Sequence, residues 1–205
     1  MTDARADPAF LEPPAPSPEV QRIYDRDVDG YGYVMNLSQV WAHLPGSQDG
    51  LADLLERAAE AASLSFRQKA ILVTAGASAL GDSYCSLAWG KRLADDAGAG
   101  ADVAAGVLRG DDGGLDPAEA ALARWARQVA RDPNATTAGD VQALREAGFD
   151  DARIFAITTF VALRIAFSTV NDALGARPDR ELGEAAPAAV VDAVTFGRPV
   201  VAGEG

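Results

Sequence analysis

The chain is patterned for helices almost from end to end: apolar residues recur at three- and four-residue spacing behind recognisable caps. No comparable run alternates apolar and polar residues with a period of two. Ser17-Pro18-Glu19 has a serine cap with proline in the first turn. Asn36 or Ser38 opens a short helix through Trp41 that stops before Pro45, and another runs from about Ser47 to Ala62. Ser65-Phe66-Arg67-Gln68 has the form of a capping box for a helix reaching Leu80. Gly81 breaks that helix, and Asp82 can cap the next, which ends near Gly98. Asp116-Pro117-Ala118-Glu119 starts a helix carrying Trp125, and Thr137 and Asp140 begin a shorter one ending at Gly148. Asp150 opens the longest, with its stop at Gly175. Its stretch IFAITTFVALRIAF is apolar nearly all round, which predicts a central, buried helix. At about fourteen residues that stretch is too short to cross a bilayer. Proline and glycine around AAVVDAVTFG predict one more helix and a loose end. The fold class is all-α, mostly antiparallel helices around a long buried one.

Composition sharpens the outline. Five of the eleven prolines fall in residues 1–18, so residues 1–16 read as an extended arm, 17–200 as one helical domain and 201–205 as a loose terminus. A chain of 205 residues with 48% hydrophobic content has enough for one sizeable core. Its formal net charge of −12 argues against non-specific nucleic-acid binding and against docking on an anionic membrane. The N-terminus (MTDARADPAF) has no apolar signal core, and the expectation is a cytoplasmic protein.

Chemistry-bearing residues are few. Asp25-Arg26-Asp27-Val28-Asp29-Gly30 matches the first half of a calcium-binding loop, but Gly32 and Asn36 stand at later positions that need an apolar residue and a bidentate glutamate. The expected structure there is an acidic turn between two helices. Cys85 is the single cysteine, so no disulfide can form within the chain. With Asp82 as cap, Cys85 falls in the first helical turn, where unpaired N–H groups favour a thiolate while the Asp82 carboxylate opposes it. Trp89, four residues on, shares its face. His43 is the only histidine and reads as structural. One His and one Cys are too few nitrogen and sulfur ligands for a metal site, and no cofactor motif is present.

The stretch RQKAILVTAGASALGDSYCSLAWGKRLADDAG resembles the core of the alkylhydroperoxidase D-like (AhpD-like) family, also called carboxymuconolactone decarboxylase-like. NLSQVWAHLPG upstream, and the segment from Leu115 to Gly175 downstream, are similar to its peroxidase-related branch, so the resemblance covers roughly residues 17–200. Redox members of the family carry a glutamate, two cysteines and a histidine. Aligned on Cys85 as the second cysteine, those positions hold Ala70, Asp82, Cys85 and Trp89.

The resemblance implies a peroxidase-related protein that is at most a one-cysteine, thiol-dependent hydroperoxidase in antioxidant defence. Cys85 would be the nucleophile, Tyr84 and Trp89 would shape the substrate pocket, and an external thiol would be the reductant. It also implies a homo-oligomer and a small-molecule substrate, either a hydroperoxide or a small organic acid. The alternatives are a non-redox member of the fold that binds a small organic molecule, or a decarboxylase-type lyase.

Overall fold

The computed structural model describes residues 7–201, and every regular element among them is helical. The chain forms α1 (Pro18–Tyr31), α2 (Asn36–Trp41), α3 (Ser47–Ala61), α4 (Phe66–Leu80) and α5 (Ser83–Ala94). After these come α6 (Ala101–Arg109), α7 (Pro117–Arg131), α8 (Ala138–Glu146), α9 (Asp151–Ala173), α10 (Arg180–Ala185) and α11 (Ala188–Ala193). The all-α class expected from the sequence is the observed one.

The strongest starts are local side-chain caps. Ser65 and Asp116 each accept from the backbone N–H three residues on, and Gln68 and Glu119 return the bond to the cap. Glu119 also takes Arg67 at 2.6 Å, so the first turns of α4 and α7 are tied together where these two helices pack. Gly81 ends α4 in the left-handed region, at φ 80°, a conformation that glycine adopts without strain. Asp82 then caps α5 by accepting the Cys85 N–H at 2.9 Å.

The main core joins α4, α5, α6, α7 and α9 through residues such as Ile71, Leu87, Val107, Leu122 and Ile157. A smaller cluster brings Ala9, Trp41, Tyr84 and Ala176 together. Trp41 stacks on Phe167 at 5.1 Å and donates its Nε1–H to Asn171 Oδ1 at 2.8 Å, which fixes α2 against the end of α9.

Three expectations change. Asp25 to Gly30 form no turn: they are the last turns of α1, where Asp27 is buried and accepts the Met35 N–H at 3.0 Å. No group of three or more His, Cys, Asp or Glu among the described residues is placed to hold a metal ion. The long helix is 23 residues, so length does not separate it from a membrane span; it packs on α3, α4 and α7 instead. Nor is it buried all round, because Phe155 is 75% exposed and Ala162, Ala166, Thr169 and Ala173 extend that open face.

Two helices were not anticipated. α6 begins at Gly100, which has no side chain to signal a cap, and α10 begins after Asp179, whose carboxylate is used elsewhere. Residues 7–16 carry no helix but lie against the fold: Ala9 is buried, and Phe10 N–H donates to Leu174 O at 2.9 Å. The first six residues of the expected arm, and residues 202–205 of the expected loose terminus, lie outside the described residues.

Gly90 is where α5 meets its neighbours most closely. A Cβ there would lie 2.9 Å from Val190 Cγ1 and 3.1 Å from Leu108 Cδ1. Overpacking costs roughly 1–3 kcal/mol, against about 1 kcal/mol gained in helix propensity. Gly90→Ala is therefore expected to lower stability by about 1 kcal/mol, read as a lower urea midpoint at unchanged slope.

Candidate functional site

A cavity of about 800 Å³ opens between the loop after α1, the buried face of α5, the C-terminal half of α9 and the start of α10. This is a size typical of small-molecule sites. Tyr84, Cys85 and Trp89 all line it, so the three residues singled out from the sequence are brought to one place. His43 is not there: it is exposed, and its Nε2 lies 3.0 Å from Glu12 O.

Tyr84 forms part of the floor. It is 2% exposed, and its hydroxyl donates to Asp179 Oδ2, while Asp179 Oδ1 accepts the Asn36 N–H at 2.8 Å. Burial pushes the Asp179 carboxyl up to about 6, against the lowering pull of these hydrogen bonds. Burial, followed by the Asp179 charge, also raises the Tyr84 phenol well above its usual range. Tyr84 thus keeps its proton, and the pair locks α5 to the segment entering α10.

Cys85 is 2% exposed, so the cavity reaches the thiol through a narrow patch. Burial raises its pKa most, and the Asp82 charge raises it further; Arg164 and a hydrogen bond from Ser168 oppose both. The thiol is therefore neutral in the unliganded cavity at pH 7. Arg164 Nη2 lies 3.4 Å from Cys85 Sγ, and Ser168 follows one turn later on the same helix. One guanidinium donor on α9 faces a sulfur on α5 whose cap, Asp82, works against ionisation.

Arg164 is the functional residue the sequence reading missed. Its guanidinium carbon lies 5.2 Å from the Trp89 ring centroid and 4.8 Å from that of Phe167. On the outer side of Trp89, Arg92 sits 4.6 Å from the same ring and 5.5 Å from Phe66. Cations and aromatic faces therefore alternate along one wall, each contact contributing about 0.5–2 kcal/mol. The available signal was a lone arginine inside an otherwise apolar helical run, where a charge without a reason to be there is expensive.

No protein-family model matches the chain, and no curated protein matches it by sequence. Solved structures do match. An uncharacterized peroxidase-related protein from Silicibacter sp. TM1040 superposes with a TM-score of 0.74 at 18% identity, over 89% of this chain and 97% of that one. The alkylhydroperoxidase AhpD core of an uncharacterized peroxidase-related protein from Ralstonia eutropha JMP134 gives 0.68 at 23% identity, over 85% and 94%. A cysteine-to-alanine variant of the debrominase Bmp8, in complex with 2,3,4-tribromopyrrole, gives 0.69 at 14% identity, over 90% and 97%. The chain has the AhpD-like helical fold, as the resemblance implied.

Two consequences can be measured. Asp82→Asn keeps the cap oxygen but removes the charge that disfavours the thiolate, whereas Arg164→Gln removes the charge that favours it. Iodoacetamide labelling of native Cys85 between pH 7 and 9 is expected to speed up about tenfold in the first and slow about tenfold in the second, one pKa unit each way.

The second concerns Asp172, raised to about 6 by burial and by the neighbouring Asp82, against the pull of Arg198. The folded state holds this proton more tightly than the unfolded chain, whose carboxyl titrates near 3.8. Its stabilising contribution is thus present below pH 4 and lost as pH rises through about 6. Asp172→Asn is expected to flatten the fall in Tm over that window and to be the more stable protein at pH 7.

Proposed function

We propose that the chain is a one-cysteine, thiol-dependent reductase of organic hydroperoxides, with Cys85 as its reacting group. The observation that carries this reading is the donor from Arg164 aimed at a sulfur that borders a ligand-sized cavity. A cysteine kept only as core filling needs neither. Two of the proteins that share the fold are peroxidase-related, which supports the same chemistry.

The step is an in-line displacement at the terminal peroxide oxygen. The sulfur electron pair forms an S–O bond, the O–O bond breaks, and the thiol proton ends on the leaving alkoxide. Cysteine is oxidised to the sulfenic acid and the hydroperoxide is reduced to the alcohol. Two equivalents of an external thiol then return Cys85 to its thiol, leaving the reductant's disulfide and water. With no second cysteine, the chain has no internal resolving group. Arg164 holds negative charge at sulfur and then at the leaving oxygen. Tyr84 and Trp89 set the pocket's shape, and Asp82 holds Cys85 in the first turn of α5.

A reducing compartment such as the cytoplasm would supply the thiol. Assembly as a homo-oligomer, with the exposed face of α9 around Phe155 as its contact, belongs to the same reading.

The test is oxidation of purified protein by cumene hydroperoxide, followed by intact mass and sulfenic-acid trapping, with Cys85→Ser as control. Saturable oxidation of Cys85, slowed by Arg164→Gln and reversed by added thiol, is the expected result. A thiol that reacts only after the protein is denatured would overturn the proposal.

A further inference from the structure

Three cations line the cavity, and two already have partners. Lys91 pairs with Asp95 at 2.9 Å and Arg92 with Asp96 at 3.7 Å. Arg164 has no carboxylate within ion-pair distance among the described residues, and its buried Nε has no hydrogen-bond partner at all. Its one hydrogen-bond partner among the described residues, Cys85 Sγ, belongs to a neutral thiol. A half-buried guanidinium without a counter-charge is a costly arrangement in a chain of net charge −12. Its guanidinium carbon lies close to the Trp89 and Phe167 rings, and spare donors remain for a planar oxyanion.

We propose that the cavity binds a planar aromatic acid, with its carboxylate on Arg164 and its ring among the aromatic side chains of Tyr33, Tyr84 and Trp89 that line it. This rests on the cavity being the ligand site, but not on Cys85 reacting there.

Calorimetric titration tests this with three probes: 2-naphthoate, the uncharged 2-naphthalenemethanol and the non-aromatic cyclohexanecarboxylate. The native protein is expected to bind 2-naphthoate at least tenfold more tightly than either of the others, and Cys85→Ser should keep that order. Arg164→Gln should abolish the preference for the acid over the alcohol. Arg92→Gln, whose cation already has a partner, should change the preference less than twofold. Equal binding of acid and alcohol by native protein would overturn the proposal, as would no binding of any probe. So would an Arg92→Gln loss as large as that of Arg164→Gln. The native three-probe comparison stands even if a variant fails to fold. Aromatic-acid binding with an inert thiol would sink only the peroxidase reading, and thiol oxidation without acid binding only this one.

Discussion

The two-residue corner at Gly81 and Asp82 determines where everything else in the cavity lies. Gly81 supplies the left-handed turn that ends α4, and the Asp82 carboxylate, fully buried, receives the Cys85 N–H. That single bond sets the first turn of α5, which turns Tyr84 toward Asp179 and Cys85 toward α9. The corner is closed from outside by the segment near Gly197. A Cβ there would lie 2.6 Å from Gly81 O, and Ser83 Oγ donates to Arg198 O at 2.7 Å. Any residue but glycine at 197 would have to push this contact open.

The local electrostatics run against the protein as a whole. The chain is strongly acidic, yet the wall beside Cys85 presents Arg164 and Arg92 on aromatic rings. Asp172 and Asp179, both raised to about 6 because burial penalises their charge, carry less negative charge near neutrality than surface carboxylates do. The result is a small cationic spot in a low-dielectric setting. There one guanidinium has far more influence on a sulfur than a surface lysine would have.

Helix boundaries were legible where the signal is a short-range bond between a side chain and the backbone. Ser65, Asp116, Thr137 and Asp150 each accept from the N–H three residues along, and each was readable as a start. α6 escaped because Gly100 has no side chain to read. The acidic run at Asp25 to Gly30 misled because its spacing resembles a loop, while tertiary packing, with Asp27 turned inward to Met35 N–H, carries the helix through. Cys85 and Trp89 could be placed together because one turn of one helix joins them. Arg164 could not be, since it meets Cys85 across 79 residues of sequence and only when α5 and α9 are assembled. The exposed side of α9 was missed for a related reason: apolar content says that a helix can be buried, not how many neighbours the fold provides.

The two ends of the described chain meet at the tail of α9. Arg177 N–H donates to Pro8 O at 3.0 Å, and Arg198 lies 5.0 Å from the centroid of the Phe10 ring. Tyr84 and Ser83 likewise wait for partners near the carboxyl end, Asp179 and Arg198. During synthesis on the ribosome, α1 to α9 therefore emerge with the thiol's surroundings still incomplete. The helical core can gather early, but the cavity is finished only once the stretch from Asp179 to Arg198 is free to fold back. A nascent chain that stalls before that point has an unfinished cavity beside Cys85.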